Sequence, residues 1–93
     1  MVDYNLLFEI EKSIENLSLQ QAFDLMKCNN SVDRLEWDES DDWFDVIWGD
    51  VIFTIAQSRK NNKLFIWDIR IYDTSIDYET YVTYVDLEDM LNC

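Results

Sequence analysis

Twenty carboxylates and no histidine set the chemistry open to this 93-residue chain. Histidine is the side chain whose ordinary pKa suits proton transfer at neutral pH, so acid–base catalysis would fall here to a perturbed carboxylate or thiol. Asp45 and Asp50 could form such a pair, but at this density of acids such pairs arise by chance, and the chain is not expected to be an enzyme. Asp68-Ile69-Arg70 has the acid-x-base form that ends a metal-dependent nuclease motif. An arginine in place of that motif's lysine cannot deprotonate, and alternating charges on the solvent face of a strand explain the tripeptide better.

Clustered carboxylates also favour hard cations, and Asp38 to Asp45 is where such a site would form. The spacing fails the test. With Asp38, Ser40 and Asp42 as the first ligands of a calcium loop, Trp43 stands at the obligatory glycine and Gly49 at the bidentate glutamate. Cys28 and Cys93 form no CxxC, and there is no histidine to join them, so neither a zinc site nor a disulfide framework is expected. No cofactor is expected.

The acids are better read as a surface. From Leu35 to Asp50, seven carboxylates (Glu36, Asp38, Glu39, Asp41, Asp42, Asp45 and Asp50) alternate with Trp37, Trp43 and Trp48, without a cation. Like charges packed this densely repel one another unless they are spread over solvent or meet a cationic partner. Exposed aromatics supply anchoring area while acids engage Arg and Lys, so the expected contact comprises those seven acids with Trp37 and Trp43, supported by Asp73, Asp77 and Glu79 from a cation-free tail. Burial of Trp37, Trp43 and Trp48 in the core is an equally open reading. Trp67, in the most apolar segment, is expected to be core.

A formal net charge of −13 and a pI near 4.1 exclude direct binding to nucleic acid or to an anionic membrane, both of which would repel the chain. A basic nucleic-acid-binding protein or a basic toxin is the natural partner, and the chain is expected to act as a monomer or homodimer. Neither a membrane-length apolar run nor a signal peptide is visible, so a cytoplasmic protein of the host cell is expected. Hydrophobic residues at 48%, aromatics at 15% among them, are enough to fold one domain over residues 1–93.

The elements that must position these residues follow from periodicity. Leu7, Ile10, Ile14 and Leu17 recur at helical spacing from Asp3 to Asn16, and Ser18-Leu19-Gln20-Gln21 is a capping box that opens a second helix carrying Leu19, Ala22, Phe23 and Met26. Asn29-Asn30-Ser31 ends it. After Val32 the period falls to about two, predicting strands at Arg34–Asp38, Trp43–Trp48, Val51–Ser58, Lys63–Asp73 and Tyr78–Val85. Gly49-Asp50 suits a type II′ hairpin, with one bent strand bulging at Gly49 as the alternative. In Lys63–Asp73 the apolar series Phe65, Trp67, Ile69, Ile71 is expected to face the helices, and Asp86 to Asp89 can cap a short C-terminal helix. The fold class is α+β, two N-terminal helices packed on a four- to five-stranded antiparallel meander. Arg59, Lys60, Lys63 and Arg70 gather around one hairpin as a small positive corner.

A short, histidine-free, proline-free, strongly acidic α+β chain resembles in general character the small inhibitors that bacteriophages and mobile elements encode against host nucleic-acid enzymes: anti-CRISPR proteins, uracil-DNA glycosylase inhibitors and anti-restriction DNA mimics. The resemblance is one of size, charge and layout, and it carries over no residue roles. It implies a mechanism in which spaced carboxylates imitate duplex phosphates, which present about one charge per 1.7 Å of axis, and occupy the enzyme's basic groove. An immunity protein or antitoxin against a cognate basic toxin would use the same physics, and a regulatory interaction module whose charge serves solubility needs no site at all.

Overall fold

The computed structural model describes residues 3–38, 40–73 and 78–83, with 71–73 and 78–83 as backbone. Helix α1 spans Tyr4–Ile14 and helix α2 spans Leu19–Lys27; five strands follow, β1 Arg34–Glu36, β2 Trp43–Trp48, β3 Val51–Gln57, β4 Leu64–Asp73 and β5 Tyr78–Thr83. The strands form one antiparallel sheet in chain order. The expected α+β meander is therefore what the chain builds. The expected turn of helix at Asp86 to Asp89 lies outside the described residues.

Local chemistry sets the helix ends. The Asp3 carboxylate accepts the Leu6 amide at 3.1 Å and caps α1, leaving Leu7, Ile10 and Ile14 as a buried stripe. Both halves of the capping box on α2 are made: the Gln21 amide donates to Ser18 Oγ at 3.1 Å and the Ser18 amide to Gln21 Oε1 at 2.9 Å. Both helices pack on one face of the sheet, where Leu7, Ile10, Ile14, Ala22 and Met26 meet Phe44, Val46, Phe53, Ile55, Leu64, Ile66 and Ile69. α1 lies over β4, and α2 over β1 and β2.

The β2–β3 connection is a two-residue hairpin, because Trp48 pairs directly with Val51. Gly49 has φ +63°, while Asp50 does not enter the positive region, which is the sign pattern of a type II′ turn. This decides against a continuous strand bulged at Gly49. The Asp33 carboxylate accepts the Gly49 amide at 2.6 Å and ties the hairpin to the start of β1.

A bulge does occur, but in β4. Phe53 pairs with Ile69 and Ile55 with Ile66, so two steps along β3 oppose three along β4, and the extra residue falls at Trp67-Asp68. The inward phase shifts there. Leu64, Ile66 and Ile69 are buried beneath the helices, whereas Phe65 is half-buried on the other face. Trp67, expected in the core, is 43% exposed. The correction has a simple cause: strict alternation holds only while register holds, and one inserted residue turns every earlier side chain to the opposite face.

Candidate docking surface

The acidic stretch Leu35 to Asp50 is laid out by β1, β2 and the loop between them. Trp37 turns inward, its indole N–H donating to the Asp41 carbonyl at 3.2 Å and its ring packing on Phe23 and Phe44 with centroids 5.2 and 5.9 Å apart. It is a fastener for the loop and part of the helix-side packing. Asp38 accepts both the amide of Ser40 at 3.1 Å and its hydroxyl at 2.9 Å. The Ser40 amide, and after it the Ser40 hydroxyl, hold the Asp38 carboxyl below the ordinary aspartate value of 3.8. Asp41 closes the turn by donating its amide to the Asp38 carbonyl at 2.8 Å, and the Asp42 carbonyl accepts the Gln57 amide at 2.9 Å. The loop backbone is thereby fixed while the carboxylates of Asp38 and Asp42 remain in solvent.

The expected contact residues divide between different parts of the sheet. Asp38, Asp41, Asp42 and Trp43 stand at the end where β3 passes to β4, beside the positive corner; Arg59 approaches Asp42 at 3.6 Å but is 93% exposed. Asp50 occupies the hairpin at the opposite end, roughly 20 Å away along β2 at about 3.4 Å per residue. Asp73 pairs with Tyr78 and Glu79 with Tyr72 toward that same end. Glu36 lies between the ends on the edge strand, opposite Asp45 in register, and pairs with Arg34 at 2.8 Å on the surface. Glu39 and Asp77 lie outside the described residues. Trp43 is half-buried on the face away from the helices, while Trp48, also half-buried, packs against the helix-side core.

That second face holds what the sequence did not announce. Asp45 on β2, Thr54 on β3, and Asp68 and Arg70 on β4 converge there: Arg70 Nη2 is 2.8 Å from Asp45 Oδ1, Arg70 Nε is 3.9 Å from Asp68 Oδ1, and the Thr54 hydroxyl donates to Asp45. The side chains of Arg70, Asp45 and Asp68 are only 12%, 15% and 19% exposed, and Ile52 and Ala56 are buried around them. Charges removed from water this far need opposite charges beside them, so the group is an internal clamp across three strands. Only the register places Arg70 beside Asp45. Trp67 is the other residue missed, because the bulge that turns it outward comes from pairing with β3.

Asp45 is engaged by Arg70 and stands the length of β2 from Asp50, so the two carboxylates do not form a proton-sharing pair. No group of three or more His, Cys, Asp or Glu side chains is placed to hold a metal among the described residues, and no helix among them is long and apolar enough to cross a membrane. Comparison with protein-family models, with curated proteins and with solved structures finds no match.

Proposed function

We propose that this chain is an acidic protein inhibitor that binds the basic nucleic-acid-binding surface of a nuclease or of a CRISPR, restriction or repair enzyme, and that its carboxylates take the place of backbone phosphates. The observation that carries the reading is the turn between β1 and β2, held by the Asp38–Ser40 and Asp41–Asp38 hydrogen bonds and by Trp37 on Asp41, while the carboxylates of Asp38 and Asp42 are exposed to solvent. Among the described residues the one cation paired with that loop is Arg59, too exposed to neutralise it. A rigid array of ionised acids loses little conformational entropy on meeting a cationic groove, and its field speeds the encounter. Trp43 beside the loop and the exposed Trp67 on the same face add anchoring area.

The reading is tested by capturing the partner from the native host and asking, by gel shift, whether it still binds its nucleic acid at saturating concentrations of this protein. Loss of the shifted band, recovered by excess duplex, is the expected result. A partner that keeps its nucleic acid throughout would remove the mimicry mechanism, and a captured toxin with no nucleic-acid-binding activity would point instead to an immunity protein.

A further inference from the structure

The second acidic end of the sheet carries a cavity. It opens where the first turn of α1 crosses the β2–β3 hairpin, with a volume of about 190 Å³. Leu6, Leu7, Trp48 and Val51 give it apolar walls, and Phe53 lies at its base. Asp3 and Asp50 stand at the rim. Ligand sites for small molecules usually run from about 300 Å³ upward, so this volume suits a single side chain better than a metabolite.

The chemistry of the lining selects which side chain. Among the described residues no cation lines the cavity and Asp50 has no ion pair. The N-terminus of α1 contributes roughly half a positive charge, which the full negative charge of Asp3, already engaged with the Leu6 amide, more than offsets. Apolar walls, the Trp48 side chain among them, suit a methylene stem, and two carboxylates suit the head group. Resting on the docking reading above, we infer that this cavity receives an arginine or lysine side chain of the partner, with its stem between Leu6 and Trp48 and its charged head between Asp3 and Asp50. The inhibitor then grips its target at both ends of the sheet. The hairpin is prepared for this, because Asp33 already holds the Gly49 amide and fixes the rim.

The test needs no partner in its first arm. Gly49 is the single glycine of the chain and lies on the cavity, so its amide is an isolated reporter in a nitrogen–proton correlation spectrum. The protein is titrated with n-butylguanidinium and n-butylammonium, which are arginine and lysine side chains without backbone, and with neutral n-butylurea. A saturable shift at Gly49, Asp50 and Leu6 with the cations, about fivefold weaker in Asp50→Asn and unchanged in Asp42→Asn, is expected. Asn is itself a good turn residue, so Asp50→Asn keeps the hairpin. Equal binding of the urea, shifts spread evenly over all the acids, or a Gly49 shift that follows protein concentration without probe would overturn the inference. In a second arm, Asp50→Asn lowers affinity for the captured partner about fivefold. An unchanged affinity there also overturns the inference, while leaving docking through loop 38–42 to its own test.

Discussion

Glu11 on α1 holds Ile66 on β4: the carboxylate Oε2 accepts the Ile66 amide at 2.9 Å across 55 positions of sequence. β4 runs longer than its described pairing with β5, which begins at Ile69, so among the described residues the amides nearer its start have no strand on that side. Helix α1 supplies acceptors, the Glu15 carbonyl for Leu64 and the Glu11 carboxylate for Ile66. An acid in an amphipathic helix thus satisfies a strand amide that no described strand reaches.

The first prediction follows from that bond. Glu11→Ala leaves a partly buried amide unsatisfied and lowers stability by about 1–3 kcal/mol, while Glu11→Gln retains an acceptor and loses less. Urea denaturation checks it. A change within about 0.5 kcal/mol for Glu11→Ala would mean the bond contributes nothing.

The Arg70 clamp gives a second. Replacing Arg70 with Met leaves Asp45 and Asp68 facing each other in a mostly buried site, and the expected loss is about 3 kcal/mol. Adding Asp45→Asn to the Arg70→Met variant removes one of the stranded charges and recovers part of it. A double variant less stable than Arg70→Met would contradict the clamp.

Trp67 supplies a third. Because it faces solvent, Trp67→Ala is expected to lower stability by less than about 1 kcal/mol, whereas Phe44→Ala in the core removes about 3–5. If the two losses are equal, the β4 bulge is misplaced.

A fourth concerns pH. Asp38 has a folded pKa lowered below 3.8, so its ionised form is favoured by folding; the stability it contributes is present above the ordinary value and is lost as pH falls through the lowered one. Carbon-detected titration should place its midpoint below 3.8. Ser40→Ala, which keeps the backbone donor, should raise the midpoint only part of the way. A wild-type midpoint at or above the ordinary value would contradict the turn geometry.

How far the sequence revealed this fold depends on the range of the interactions. The capping box Ser18–Gln21, the helical stripes and the period change after Val32 are local patterns, and the elements form where they predict. The Gly49 hairpin was legible because only a positive-φ residue suits that turn position. Trp67 was not, since the bulge at Trp67-Asp68 arises from pairing with β3 and no glycine or proline marks it. The same holds for Arg70 on Asp45 and Glu11 on Ile66, contacts between distant segments that only the assembled sheet brings together. The acidic stretch was visible as composition. Its division into one carboxylate turned into a clamp, one paired on an edge strand and a solvent-facing loop required the register.

That division decides which acids to change. Glu11 and Glu15 are unsuitable as neutral controls, because the Glu11 carboxylate carries the Ile66 bond and the Glu15 carboxylate pairs with Lys12. Glu9 and Asp24, exposed on the helices, serve instead.

The most direct measurement is therefore the affinity for the captured partner of the Asp41→Lys/Asp42→Lys variant against a Glu9→Lys/Asp24→Lys variant, each shown by circular dichroism to be folded. Both change the net charge equally, and only the first lies on the loop between β1 and β2. The account predicts that the loop variant loses about 2 kcal/mol or more of binding while the helix variant loses well under about 1, chiefly through slower association. Equal losses would show that diffuse charge makes the interface, and no loss from either would contradict acidic docking altogether.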